Sequence, residues 1–175
     1  MSEQNVCLNQ FSAGGDIRHA VLALSGFARP QNIMPMELHV FLQSAALPTR
    51  VEWQAGIIDH GFPLTLDKVL DIRHHTGFSP VVCWGKKSGF EFDLHPAIQI
   101  ASRYKGVSER LGVRDLSANF RWRGNVLESV VVYTASAVLA GLTNGLLYSP
   151  QKNRFSTAHE AIAMARRLIA ATELD

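Results

Sequence analysis

Hydrophobic and polar residues alternate along several stretches of the chain, and this two-residue period predicts β-strands. The first stretch covers residues 37–43, where Leu38, Val40 and Leu42 alternate with the residues between them. Residues 78–84 and 89–94 follow the same pattern and are joined by 85–88, a Gly-Lys-Lys-Ser sequence that suits a hairpin connection. A further alternating strand is predicted over 116–122, and shorter strands over 63–66, 146–148 and 154–156.

The alternation also assigns faces to the two longest of these strands. In the strand over 89–94, Phe90, Phe92 and Leu94 share one face and Glu91, Asp93 and His95 the other. We therefore expect one face to be core and the other to be solvated or functional. In the strand over 116–122 the inward positions are predicted at Leu116, Ala118, Phe120 and Trp122, and the outward ones at Ser117, Asn119, Arg121 and Arg123.

Capping boxes and apolar stripes predict three helices. Thr49 and Glu52 form a capping box before a helix over 50–60, which Gly61 ends. Residues 126–142 are apolar on nearly every side, a pattern typical of a helix buried in the domain centre. Thr157 and Glu160 open an amphipathic C-terminal helix. Residues 97–111 are ambiguous, because Gly106 weakens a helix there. The fold class is predicted as α+β, with a mixed or antiparallel sheet.

The domain organisation follows from where this regular pattern starts. Residues 1–35 contain two Gly- or Pro-bearing interruptions and room for only a short helix, so we expect a loosely attached N-terminal arm. Residues 36–175 are predicted to form one α+β domain of ordinary size. Met34 and Met36 directly precede the first strand, which raises the alternative that the natural product starts there.

Composition and charge exclude several classes of function. The formal net charge of +2 is too small to indicate a nucleic-acid or anionic-membrane binder. Cys7 and Cys83 are far apart and do not form a dense disulfide framework. The first residues lack a basic signal start, and the run over 126–142 fits a buried helix better than a membrane span. We therefore predict a soluble cytoplasmic protein.

No established catalytic or cofactor pattern is present in the sequence. His74, His75, Cys83 and His95 fall within one span, but their spacing does not pre-organise tetrahedral ligands, so no metal site is predicted. Residues 85–89 superficially suggest a phosphate loop, yet Pro80 stands where that motif requires glycine and a strand follows. Cys83 is predicted inside a strand, where burial disables it as a nucleophile. No cofactor is expected.

Two acidic positions admit a functional and a structural interpretation. Glu91 with Asp93 on one strand face could serve as an acid–base pair, although a solvated face explains them more simply. Glu128 lies in the first turn of the apolar helix, where the helix dipole stabilises a carboxylate and Arg121 is close enough to pair with it. We interpret Arg121 and Glu128 as structural. We expect the fold to spread the histidines, thiols and carboxylates apart, so that they never converge to carry out chemistry.

Several short aromatic and glycine segments occur in an order that resembles bacterial immunity-like proteins. They cover residues 37–169 and comprise 61–67 (GFPLTLD), 75–81 (HTGFSPV), 89–92 (GFEF), 120–122 (FRW), Glu128 and 145–151 (GLLYSPQ). The chain departs from that pattern at Asp93, where a second aromatic is expected, and at Ser149, where an acidic residue is expected.

The resemblance implies a cytoplasmic, non-catalytic protein that protects its producer by binding a cognate toxin. The predicted contact surface combines the loop over 67–77, the outward side of the strand over 89–95 and the turn over 149–154. Its residues are Asp71, Arg73, His74, His75, Glu91, Asp93, His95, Gln151 and Arg154. Two alternatives remain open: a small-ligand binder or enzyme using the acidic and histidine strand face, and an interaction domain with an unrelated partner.

Overall fold

A seven-stranded antiparallel sheet organises the protein, and the computed structural model describes residues 35–172. The strand order is β2-β3-β4-β5-β1-β6-β7. The strand that comes first among the described residues, β1, therefore lies inside the sheet, between β5 and β6. The strands are β1 (Met36–Leu42), β2 (Leu64–Leu66), β3 (Gly77–Cys83), β4 (Lys86–Pro96), β5 (Leu116–Trp122), β6 (Leu146–Ser149) and β7 (Arg154–Ser156).

Four α-helices complete the described part of the fold, which confirms the predicted α+β class. They are α1 (Arg50–Asp59), α2 (Ala97–Ala101), α3 (Val126–Thr143) and α4 (Ala158–Thr172). Short 3-10 turns occur at 44–46, 108–110 and 150–152. The predicted N-terminal arm, residues 1–34 of it, lies outside the described residues.

The first face of the sheet carries the main hydrophobic core. α3 packs on this face between α1 and α4 and contacts the central strands. Trp53 of α1 is fully buried there, and its indole N–H donates to the backbone carbonyl of Ala135 in α3 at 3.0 Å. By length and composition α3 could cross a membrane, but 61% of it is buried within the protein, as in the core helix of a soluble protein.

The second face of the sheet is covered only in part. α2 and the turns that follow it pack over one end, where Ile100, Val107 and Leu111 form a smaller apolar cluster with Phe41 and Tyr148. The rest of this face, toward β3 and β2, has no helix over it within the described residues. Counting only residues 35–172, both faces of the sheet are covered at one end and one face is covered at the other.

The predicted helix boundaries agree with the structure because their local signals form. Thr49 and Glu52 make a reciprocal capping box before α1, and Gly61 follows that helix at φ +71°. Thr157 and Glu160 make the same reciprocal contacts before α4. Asn144 ends α3 in the left-handed conformation at φ +47°.

Two local predictions are wrong. The β3–β4 turn is the two-residue Trp84-Gly85, both at positive φ, and Lys86, Lys87 and Ser88 belong to β4. This shorter turn matches the twist of a two-residue hairpin. Ser117 and Asn119 do not face solvent, because α2 and its following turns bury that part of the second face.

Candidate functional site

Polar side chains lie side by side on the second face of the sheet. The strand register places Asp93 of β4 opposite Asn119 of β5, and Asn119 opposite His39 of β1. All three are at most 7% exposed. Since their side chains project to the same face, adjacent members meet across neighbouring strands.

Asn119 is the centre of this buried polar network. Its amide Nδ2 donates to Asp93 Oδ1 at 2.8 Å, and its Oδ1 accepts from the Ser117 hydroxyl at 2.8 Å. His39 Nδ1 also lies 2.8 Å from Asn119 Oδ1. Because the amide oxygen can only accept, the proton of this contact belongs to His39 Nδ1.

His39 and Tyr104 form the buried end of the network beside Glu37. The Tyr104 hydroxyl donates to Glu37 Oε2 at 3.0 Å and lies 3.3 Å from His39 Nε2. Burial lowers the pKa of His39 from its ordinary value of 6.5. Burial, assisted by the hydrogen bond to Glu37, raises the pKa of Tyr104 to about 12. Both groups are therefore held neutral near pH 7.

The carboxylate of Asp93 contacts three polar side chains and is buried rather than exposed to solvent. Arg121 Nη2 donates to its Oδ2 at 2.6 Å, while Asn119 and His95 Nε2 both contact its Oδ1, the latter at 3.0 Å. These contacts fix the position of the Asp93 carboxylate and keep it enclosed on the sheet. The prediction that Asp93 lies on a solvated surface is wrong, because Arg121 and the neighbouring strand enclose it.

The expectation that histidines and carboxylates are spread apart is also wrong for this region. His39, Glu37, Asp93 and His95 gather on one face, within a network whose donors and acceptors satisfy one another. Among the described residues, no group of three or more His, Cys, Asp or Glu side chains is placed to hold a metal ion. Four grooves lie on the surface of the described residues, and their walls do not include His39, Asp93 or Asn119. The arrangement therefore resembles a buried stabilising network.

At the end of this face without a covering helix among the described residues, β3 exposes apolar side chains and buries a polar one. On β3 the polar residue Ser79 is fully buried, and its hydroxyl has no hydrogen-bond partner among the described residues. Its neighbours Phe78, Pro80 and Val82 point to solvent, with Phe78 58% and Val82 39% exposed. Solvated sheet faces normally carry polar residues, so three consecutive outward apolar positions mark an unusual surface.

The Phe78 ring lies over a glycine of the neighbouring strand. Pro80 pairs with Gly89 in the register, and a Cβ added at Gly89 would lie 2.3 Å from Cζ of Phe78. The absent side chain therefore makes room for the ring. Grooves of about 610 and 310 Å³ both include Phe78 and Gly89 in their walls. We call the outward surface of Phe78, Pro80 and Val82 the Phe78 face.

Charged side chains surround the Phe78 face. Lys68 and Lys87 line the larger groove, while Arg121 and Arg123 line the smaller one. Glu128 lines both grooves. An apolar centre with a charged rim is the usual composition of a protein contact surface.

Four residues predicted for partner contact lie in the loop over 67–77 and are tied into it. Asp71 Oδ2 pairs with His74 Nδ1 at 2.9 Å, and this hydrogen bond lowers the pKa of Asp71. Arg73 donates to the carbonyl of Leu47 at 3.1 Å, and His75 Nε2 lies 3.2 Å from the carbonyl of Gly77. Asp71, Arg73 and His74 are exposed, while His75 is half-buried.

The remaining predicted contact residues are divided between two regions. Glu91 is half-buried and pairs in register with Phe78, so it belongs to the rim of the Phe78 face. Gln151, with its amide oriented to satisfy both polar atoms, bonds to the backbone of Glu37 at 2.9 and 2.8 Å, extending β1 pairing beyond β6. Arg154 lies 3.7 Å from Glu160 at the far edge of the sheet. The predicted residues therefore do not form one surface.

Two structural interpretations had different outcomes. Arg121 does not pair with Glu128, because its guanidinium binds Asp93, and Glu128 instead accepts the backbone N–H of Arg123 at 2.8 Å. Cys83 is buried as predicted, and burial raises the pKa of its thiol to about 11.

The Phe78 face was missed by sequence reasoning. The pattern Phe-Ser-Pro-Val-Val-Cys contains one polar residue, and ordinary patterning assigns that residue, Ser79, to solvent. The available signal was Gly89, since a glycine inside a strand indicates close approach of another group. No family model, curated protein or solved structure matches this chain.

Proposed function

We propose that the protein is a non-catalytic binding protein whose protein partner docks on the Phe78 face. The observation that carries this proposal is the inverted pattern of β3, with apolar Phe78 and Val82 exposed while Ser79 is buried without a hydrogen-bond partner among the described residues. A stable fold gains nothing from exposing those side chains. Exposed contiguous apolar surface is a usual mark of a protein contact site.

The geometry around Phe78 supports a role as a binding anchor. Aromatic side chains with an arginine nearby dominate the binding energy of protein interfaces. Gly89 lets the Phe78 ring lie against the sheet before any partner arrives, which reduces the conformational entropy lost on binding. The grooves of about 610 and 310 Å³ offer space for two apolar side chains of the partner.

For the partner we propose a cognate toxin, in a cytoplasmic immunity role. This rests on the resemblance of the aromatic and glycine segments, two of which, 75–81 and 89–92, supply Phe78 and Gly89. The net charge of +2 gives no complementarity to a strongly basic partner such as a typical nuclease. We therefore expect an interface centred on apolar contacts, with charge pairs at its rim.

Growth rescue tests the proposal directly. The product of the neighbouring gene is expressed in a bacterial host with and without this protein, and growth is measured over serial dilutions. We expect toxicity from that product alone and protection by the intact chain. Absence of toxicity, or toxicity that this protein does not relieve, contradicts the immunity proposal.

Matched variants locate the contact surface. Phe78→Ser should abolish protection, since loss of a central aromatic anchor costs about 2 kcal/mol or more of binding, roughly 30-fold in affinity. Ile98→Ser is the control, because Ile98 on α2 is 60% exposed but lies away from the Phe78 face. Both variants should have the melting temperature of the unchanged protein, which excludes a folding defect. Protection by Phe78→Ser equal to that of Ile98→Ser argues against the Phe78 face.

A further inference from the structure

A second cleft lies at the other end of the sheet, between β6, β7 and the side of α4. Its volume is about 290 Å³. Leu147, Ala163 and Met164 supply apolar walls, and Tyr133 contributes an aromatic ring. The cleft shares no wall residue with either groove beside Phe78, so any ligand it holds is independent of the proposed partner site.

Cationic side chains converge on this cleft from three elements. Lys152 comes from the turn after β6, Arg154 from β7 and Arg167 from α4, and His159 lies near the start of α4. Lys152 Nζ lies 5.9 Å from the centre of the Tyr133 ring. The chain as a whole has a formal charge of only +2, so this grouping is a local concentration of positive charge.

One carboxylate shares the cleft but is largely committed elsewhere. Glu160 Oε2 accepts from the backbone N–H and the hydroxyl of Thr157 at 2.8 and 3.0 Å, in the capping box of α4. Its Oε1 lies 3.7 Å from Arg154, and both side chains are about half exposed or more. An exposed pair at that distance is weak, so Arg154 can turn to a bound anion.

Two serine hydroxyls add neutral donors to the cationic ones. Ser149 and Ser156 line the cleft and are 7% and 5% exposed. Within residues 35–172, Arg167 makes one hydrogen bond, from its Nε to the carbonyl of Ala163 at 3.4 Å, so its two terminal nitrogens are available to a ligand.

We propose that this cleft binds a small phosphate monoester. Its donors exceed what a carboxylate with one charge and two oxygens would satisfy, whereas a phosphate group offers about two charges and three acceptor oxygens. The phosphate contacts Arg167, Lys152 and the serine hydroxyls. The organic part packs against Met164 and the ring of Tyr133, which excludes water from one side of the charge pairs.

Titration with three probes tests the chemistry of the ligand. The full chain labelled with ¹⁵N is titrated with phenyl phosphate, inorganic phosphate and benzoate at fixed ionic strength, with calorimetry in parallel. We expect saturable binding of phenyl phosphate with a Kd below about 1 mM, weaker binding of inorganic phosphate and the weakest of benzoate. Amide shifts should concentrate on 149–156 and on residues 159–167 of α4. Absence of saturable phenyl phosphate binding, or tighter benzoate binding, overturns the proposal.

A neighbouring arginine provides the matched control. Arg166 and Arg167 are both exposed on α4, but only Arg167 lines the cleft. Arg167→Gln should weaken phenyl phosphate binding roughly tenfold, as expected for one lost charge-assisted hydrogen bond, and Arg166→Gln should change it less than about twofold. Equal weakening in the two variants would mean diffuse attraction by the surface charge and would overturn the assignment of the site.

Discussion

Gly89→Ala is the substitution for which the structure makes its sharpest prediction. The new Cβ would lie 2.3 and 2.6 Å from two atoms of the Phe78 ring and 2.7 Å from the backbone carbonyl oxygen of Ser79. The Phe78 ring and the Ser79 carbonyl would both lie closer than the 3.0 Å below which Cβ contacts essentially never occur. Phe78 is more than half exposed and can lift away from the sheet, but the Ser79 carbonyl belongs to the β3 backbone.

The expected loss of stability follows from these two contacts. Overpacking of this kind costs about 1–3 kcal/mol, and alanine in a strand otherwise gains about 0.5–1 kcal/mol over glycine. We therefore expect Gly89→Ala to lower the free energy of unfolding by about 1–2 kcal/mol. In a Phe78→Ala background the ring contact is gone, so the cost should fall by about 1 kcal/mol and leave the part due to Ser79.

Urea unfolding of the four proteins in this cycle, followed by circular dichroism, measures both quantities. Gly141→Ala is the control, because nothing lies within 4 Å of a Cβ at that exposed position in α3. It should stabilise the protein by about 0.5–1 kcal/mol. If Gly89→Ala raises stability as Gly141→Ala does, the Phe78 ring does not lie over Gly89 and the anchor geometry is incorrect.

Three further predictions concern the buried polar groups. Burial lowers the pKa of His39 below 6.5, so the unfolded chain takes up a proton at a higher pH than the folded chain. The free energy of unfolding is therefore fully present above pH 6.5 and falls by up to about 1.4 kcal/mol per pH unit below it. His39→Gln should flatten that slope in urea unfolding between pH 7 and pH 5, and an unchanged slope would contradict the cause. Asn119→Leu should cost about 2–4 kcal/mol, since it removes partners of His39, Ser117 and Asp93 together; a loss below about 1 kcal/mol would show that the network is not cooperative. Thr134→Val should raise the melting temperature and add about 1 kcal/mol, because the Thr134 hydroxyl is buried with no partner among the described residues, and a lower melting temperature would refute this.

Most of the fold is readable from local signals in the sequence. Both capping boxes form, α3 is the apolar run over 126–143, and each predicted strand exists within a few residues. These features depend on hydrogen bonds and periodicity within about a dozen residues, which one sequence contains in full. The strand order does not follow in the same way, because it depends on contacts between segments up to about a hundred residues apart.

The candidate sites were harder to predict for a specific physical reason. The outward faces of β4 and β5 contain similar polar residues along their length, yet α2 buries Asn119 and leaves Arg121 partly exposed. Alternation tells which residues share a face but not where a covering helix ends. Hydrophobic patterning assumes that polar residues face solvent, so it places Ser79 of β3 on the exposed face. In the structure Ser79 is buried, and its hydroxyl has no partner among the described residues. The cationic cleft joins residues from three elements whose proximity only the tertiary fold sets.

The position of β1 inside the sheet affects how the chain folds during its synthesis. Leu38, Val40 and Leu42 leave the ribosome first among the strands of residues 35–172, but their neighbours β5 and β6 begin at Leu116 and Leu146. At about 5–20 residues per second, the second neighbour follows roughly 5–20 s later. Both hydrogen-bonding edges of β1 are exposed until β5 emerges, and the edge that β6 covers stays exposed to the end of that interval. A helper that shields nascent β1 should therefore raise the soluble yield more than one acting after release.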